Sequence, residues 1–366
     1  MKKTISLLLI LSLLAVTFVG CSTNAPAETP AETPAETPAE TPAEEPVEAG
    51  SIAKVGLGQN ISIAKSSDKT DEKNATAQAD VTMAAVGFDE EGKVASVTID
   101  VTQAKIAFDE NMVVTSDRDA EVLSKKDLKE NYGMAKVSEI GKEWFEQMEA
   151  FEEWMIGKTV EEITGLPVKE RDASHQNVPD VPELTSTVTI TVESYIEAVA
   201  EAWENAVDAP GAEKVGLGVH AGIKSSKDAT DDKPATAQAD VYMTATAVDA
   251  DGKVVATIVD VAQVKVLYDE EGKVTNKDAE LKTKHELKED YGMAKVSEIG
   301  KEWFEQMEAF QDWMAGKTKE EITGLAVKER DPSHQNVPDV PELTSTVTIT
   351  VEGYQAVVAE AIDNAR

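Results

Sequence analysis

The chain has 366 residues, with 35 Lys and Arg against 69 Asp and Glu, a formal net charge of −34. Such a surplus repels nucleic acid and anionic lipid headgroups, so no nucleic-acid partner is expected and binding through a broad basic face is excluded. Cys21 is the only cysteine, which excludes an intramolecular disulfide and a Cys-rich metal site.

Residues 1–20 read as a secretory signal: Lys2 and Lys3 form a short basic start, and residues 5–19 are nearly all apolar. The apolar run is too short for a permanent membrane helix. It closes on Phe18-Val19-Gly20-Cys21, which resembles a bacterial lipobox, with Phe18 where leucine is usual. That resemblance implies cleavage before Cys21 and lipid on its side chain. The protein would then be extracytoplasmic, its partner the bacterial cell membrane reached through the lipid anchor. Residues 21–50 follow as a disordered linker built on Ala-Glu-Thr-Pro, with seven glutamates and no basic residue. Repeated proline forbids a continuous helix, and at about 3.1 Å per residue the tract reaches on the order of 90 Å.

The remainder is one unit used twice. Residues 132–151, YGMAKVSEIGKEWFEQMEAF, recur unchanged at 291–310, and residues 174–193, SHQNVPDVPELTSTVTITVE, recur at 333–352. Each copy has the size of a whole domain. The expected repeats are 51–207 and 208–366, joined at the connector DAPGAEK that starts at Asp208.

Within a copy the first half reads as β-structure: ATAQADVTMAAVGF at 75–88, a DEEGK turn, then VASVTIDVTQAKIAF at 94–108. DADGK at 249–253 predicts a type I′ hairpin turn, and DEEGK from Asp269 another plain turn. These turns lack the ligand series of a calcium loop. KVGLG, at 54–58 and 214–218, has no following helix and reads as a strand start or bulge. Ile140, Trp144, Met148, Phe151 and Met155 fall on one face of a helix predicted over 138–156, with Ser138 as N-cap and Gly157 just past the end. Trp144, Phe151 and Trp154 could pack on the sheet or line a ligand pocket. Thr159 and Glu162 have capping-box spacing for a short second helix. ELTSTVTITVE at 183–193 alternates like a half-buried strand, and a final amphipathic helix runs over 194–206. The expected class is therefore α+β, with two homologous domains, each an antiparallel sheet packed with helices.

Signatures of catalysis are scarce. No phosphate loop, nucleophile elbow or zinc helix is present, and no hydrolase or transferase site is visible. His175 and His334 occupy equivalent loop positions. With Asp172 and Asp180, His175 makes a poor metal-ligand set, and a surface histidine is the plainer reading. His220 and His285 occur in one copy each.

The repeated ELTSTVTITVE segment carries a more specific likeness. Strands with an Asp-Gly-Lys turn, a helical middle and a threonine motif before a last helix resemble the bacterial FMN-binding domain family, which includes membrane-anchored extracytoplasmic lipoproteins. The family motif reads Asp-x-x-Ser-Gly-Ala-Thr, and in many members a flavin transferase joins FMN to its threonine. Here Glu183 stands at the aspartate, Ser186 at the serine and Thr189 at the acceptor; Glu342, Ser345 and Thr348 are the second set. The resemblance implies Ser186, Thr189, Ser345 and Thr348 as cofactor-binding residues. Thr187-Val188 and Thr346-Val347 replace Gly-Ala. A β-branched pair favours extended backbone and adds bulk, so a retained fold with a weakened or lost attachment site is expected.

Three functions fit these readings. One is a nonenzymatic surface or binding lipoprotein of the cell envelope. A second is an extracytoplasmic electron carrier with FMN on or near each threonine motif, served by a flavin transferase or an envelope redox partner. The third is a cation or small-solute binder using the acidic surface.

Overall fold

The structure, a computed structural model, describes residues 51–366; the candidate signal, Cys21 and the linker lie outside the described residues. Strands β1 (Lys54–Ser62), β2 (Thr76–Phe88) and β3 (Val94–Ala107) form an antiparallel sheet in the order β3-β2-β1, extended beside β1 by the short β6 (Val207–Asp208). The second repeat builds its own sheet from β7 (Lys214–Gly222), β8 (Thr236–Val248) and β9 (Val254–Leu267). The alternation read in the sequence sorts the β2 side chains. Ala77, Ala79, Val81, Met83 and Ala85 face one side, and Ala84, Val86 and Phe88 face the other.

Both faces are covered. On one lie the helices of the same repeat: α1 (Lys125–Leu128), α2 (Trp144–Met155), α3 (Val160–Thr164) and α4 (Glu193–Glu204). Between α3 and α4 the short strands β4 (Val168–Lys169) and β5 (Val178–Pro179) pair with each other. The second repeat has the counterparts α5 (Lys284–Leu287), α6 (Trp303–Met314), α7 (Lys319–Thr323), β10 (Val327–Lys328), β11 (Val337–Pro338) and α8 (Glu352–Asn364). The other face of each sheet packs on its sister sheet, giving one shared core that holds Met83 and Met243 among rows of alanines. The order of layers is helices, sheet, sheet, helices, and the α+β class is as the sequence predicts.

An approximate two-fold relation governs the sheet-to-sheet contact. The Lys69 N–H donates to Gly272 O at 2.8 Å, and its equivalent, Ala229 N–H, donates to Met112 O at 3.1 Å. Likewise Val274 N–H reaches Asp68 Oδ1 at 2.9 Å while Val114 N–H reaches Asp228 Oδ1 at 2.8 Å. Reciprocal exchange of this kind is the mark of an isologous interface.

KVGLG opens β1 and β7, the strand start that the sequence reading expects. The backbone of α4 crosses β1 so closely that a Cβ on Gly56 or Gly58 would stand 1.8 or 2.0 Å from the carbonyl oxygens of Ala202 and Ala198. Gly216 and Gly218 meet Ala361 and Val357 of α8 in the same way. Only glycine lets strand and helix touch at that distance.

Three local expectations are corrected. The second-repeat turn at 249–253 has positive φ at Gly252 (75°) but not at Asp251, so it is not type I′, which needs both. Helix α2 starts at Trp144 with Glu143 as N-cap, not at Ser138, because Gly141 adopts φ 65° and breaks the turn. ELTSTVTITVE is not a strand: Thr187 N–H and Val188 N–H both donate to Leu184 O, at 3.0 and 2.8 Å, so the chain bonds to itself. By contrast the Thr159–Glu162 capping box and the left-handed Gly157 (φ 77°) are found as expected.

The repeats also bring carboxylates close to each other. Burial pushes Glu201 on α4 up to about 7; the negative charges of Glu286 and Asp260 from the second repeat add to this, and the Gln59 N–H opposes it. Glu360 on α8 is its counterpart, raised by burial to about 7 with Asp127, Asp100 and Glu121 of the first repeat adding and the Val219 N–H opposing. Burial lifts Asp100 to about 6, and Asp260 in the same direction.

A carboxyl whose pKa is higher folded than unfolded holds more protons in the folded state, so its contribution is present in mild acid and lost as pH rises. Thermal midpoints are therefore expected to fall between pH 5.5 and pH 8, and Glu201→Gln with Glu360→Gln to flatten that slope; a midpoint that climbs over this interval contradicts the assignment. Gly58→Ala is expected to destabilise the fold by about 3 kcal/mol or more in urea unfolding, since backbone must move to admit the methyl.

Candidate functional site

The two segments that are identical between copies fold against each other, and Gln147 joins them. It lies on α2, fully buried. Its Nε2 donates to Ser138 Oγ at 3.2 Å and to Lys142 O at 3.4 Å. Its Oε1 accepts from Thr189 N–H at 2.9 Å and from Thr189 Oγ1 at 3.2 Å. Gln306 and Thr348 repeat the last pair at 2.9 and 3.2 Å. A buried carboxamide left unpaired costs about 1–3 kcal/mol, so this clasp fixes the threonine loop to the helix.

Around the threonine stands a polar frame. Arg171 Nη1 donates to Thr189 O at 2.8 Å and its Nε to Asp172 Oδ2 at 3.2 Å. His175 Nδ1 lies 2.8 Å from Asp172 Oδ1, and Ser174 N–H donates to the same oxygen. The His175 bond first, then the Ser174 N–H, hold the Asp172 carboxyl down at about 2. Arg330, Asp331 and His334 reproduce the frame, with Asp331 also at about 2. Thr191 Oγ1 donates to Gln176 O at 2.6 Å, and Val192 N–H to Asn177 O at 3.1 Å, which ties the loop to the start of α4.

The sequence-predicted residues are distributed unevenly here. Thr189 and Thr348 are half-buried at the centre of the frame; Ser186 and Ser345 are exposed on the turn before it. Leu184, Val188 and Val192 point into the helix–sheet core, four residues apart. Val188, at the motif's alanine position, is thus a core anchor. A phosphoester on Thr189 Oγ1 would remove the proton it donates to Gln147, so the residues as arranged do not fit covalent flavin without opening the clasp. Asp180 does not join His175; it pairs with Lys169 at 2.7 Å. Among the described residues no three His, Cys, Asp or Glu side chains are grouped to hold a metal ion, and no helix is long and apolar enough to cross a membrane.

The aromatic stripe is core. Trp144 and Phe151 are buried, Trp144 Nε1 donating to Tyr195 OH at 2.9 Å, while Trp154 stacks on Phe151 and carries Lys158 over its ring.

A charged cluster escaped the sequence reading. Glu152 on α2, with 3 % of its side chain exposed, accepts from Ile99 N–H and pairs with Lys126 at 2.6 Å and with Arg366 of the second repeat. In the second copy Gln311 and His285 stand at these positions, and Gln311 Oε1 takes the Val259 N–H at 2.7 Å. Glu152 and Lys126 both change between the copies, but so do Leu123, Ser124, Asp127, Glu153 and Ile156 beside them, so nothing in the sequence singles the pair out.

No family model, curated protein or solved structure matches this chain.

Gln147→Leu is expected to cost about 2–3 kcal/mol in urea unfolding, because the Thr189 N–H loses its buried acceptor, whereas Thr189→Val removes one neutral hydrogen bond and costs about 1 kcal/mol. Equal costs would mean that the carboxamide does not organise the loop.

Proposed function

We propose that this chain is a lipid-anchored protein of the bacterial cell envelope whose folded body is a nonenzymatic surface or binding module. The observation that carries the reading is the use of both candidate acceptor hydroxyls, Thr189 and Thr348, as donors to buried glutamines. A side chain committed to holding a loop is a structural element of that loop, and the same commitment is made in both copies. The lipobox-like Phe18 to Cys21 and the acidic, proline-rich linker supply the anchor and the spacer.

A second reading keeps the flavin. It is favoured by Arg171 and Arg330, whose guanidinium groups lie beside the threonine carbonyls with 23 % and 22 % of their side chains exposed. A planar cation at that place suits a phosphate group. On this reading the chain is an electron carrier of the FMN-binding type, with its cofactor near each motif.

One measurement separates the two. Intact mass of the mature chain, coexpressed with a flavin transferase, is expected to show lipid that disappears in Cys21→Ser and no FMN-sized increment. An increment lost in Thr189→Ala with Thr348→Ala would replace the first reading by the second. Absence of lipid on Cys21 would remove the anchor from both.

A further inference from the structure

In a molecule of net charge −34, one small cavity of the second repeat is lined by three lysines. It encloses about 230 Å³ between β9 and α5, among Lys265, Lys282, Lys284, Gln263, Tyr291 and Asp290. Lys284 is the unusual member. It is 8 % exposed, and its Nζ lies 5.1 Å from the Tyr291 ring centroid and 5.3 Å from that of Trp303.

Two aromatic faces offset part of the cost of burying an ammonium group, but they accept no ordinary hydrogen bond. Among the described residues Lys284 Nζ has neither a hydrogen-bond acceptor nor a carboxylate within 4.0 Å, and Lys265 also lacks an ion pair. Lys282 has one partner, Glu280 at 3.3 Å on the exposed rim. The Tyr291 hydroxyl donates to Gln263 Oε1 at 3.3 Å, and Gln263 Nε2 to Asp240 Oδ1 at 3.2 Å, so the cavity wall is held in place. A buried charge is ordinarily paired.

We propose that this cavity binds a small oxyanion of the phosphate class, with Lys284 as its inner cationic partner and Lys265 and Lys282 at the rim. Three point charges around a space of this size suit a compact, multiply charged anion better than a planar carboxylate. Burial holds the Lys284 pKa down at about 8, with Asp240 and then Asp260 opposing, and an anion in the cavity would act in the same sense as those carboxylates.

The first repeat serves as an internal comparison. Lys125 sits in the same aromatic sandwich, 5.0 Å from both the Tyr132 and the Trp144 centroids, and Lys105 and Gln103 match Lys265 and Gln263. Yet Leu123 replaces Lys282, so the rim loses one charge. The site is thus complete in the second repeat and reduced in the first. It lies apart from the threonine frame and does not depend on the proposed function.

Inorganic phosphate titrated into the intact chain at constant ionic strength, followed by phosphorus NMR line width and calorimetry, tests the site. Saturable binding is expected, falling about tenfold or more in Lys284→Met and in the surface double variant Lys265→Gln with Lys282→Leu, and unchanged in Lys125→Met. The double variant keeps the test valid if Lys284→Met does not fold. Glycerophosphoglycerol in a parallel titration distinguishes the source: saturation by this diester identifies a lipid headgroup, and saturation by phosphate alone a free anion. Saturable binding of neither compound, or affinity unaltered in the double variant, overturns the proposal.

Discussion

The shared layer between the two sheets is the contact on which the rest of the molecule depends. A three-stranded antiparallel sheet usually buries one face and wets the other. Here both faces of β2 and β8 are buried. β2 is apolar on the sheet side and, at Ala84, Val86 and Phe88, on the helix side, whereas β8 turns the hydrogen-bonded Thr244 and Thr246 toward its helices. The inner faces are built from alanine, valine and methionine, which lets the sheets approach closely and leaves the adaptable Met83 and Met243 to fill the remaining space. Duplication supplies the partner: a face that is complementary to itself about a two-fold axis is satisfied by a second copy in the same chain.

Close approach recurs as a theme on the outer side of each sheet. The glycines of KVGLG remove the side chains that would hold α4 and α8 away from the strands, and Ala198, Ala202 and Ala361 do the same from the helix side. With the last helix seated this tightly, the loop before it has a fixed end at Val192, and Gln147 fixes its middle. The threonine frame is therefore positioned by packing at both ends rather than by pairing with a strand. Arginine, aspartate and histidine are the charged groups gathered at that surface.

The copies differ where they face each other's ends. Glu152 of the first repeat pairs with Lys126 of its own repeat and with Arg366 of the second, whereas Gln311 and His285 stand at the equivalent positions of the other copy. Lys282 against Leu123 is a second difference, and it changes the charge of a cavity. Duplication thus preserved the internal clasp unchanged, while the buried Glu152 corner and the rim position of Lys282 diverged.

Much of this architecture could be read from residue order. The repeat, the strand alternation in 75–108, the Thr159 capping box, Gly157 and the final helix are all local patterns, and local sterics and hydrogen bonding suffice to specify them. ELTSTVTITVE shows where such reading stops. Its β-branched alternation has the period of a strand, yet no neighbouring strand is available to accept its N–H groups. The buried spacing of Leu184, Val188 and Val192 is set by the helices beneath it. The glycine seam, the lysine between two rings and the sheet-on-sheet layer are likewise invisible in sequence, because each joins residues far apart in the chain. Residue order alone determined what each segment is able to form and which end carries the lipobox-like motif. Tertiary structure decided which hydroxyls, carboxamides and ammonium groups meet, since burial and distance, not sequence spacing, determine which polar group must find which partner.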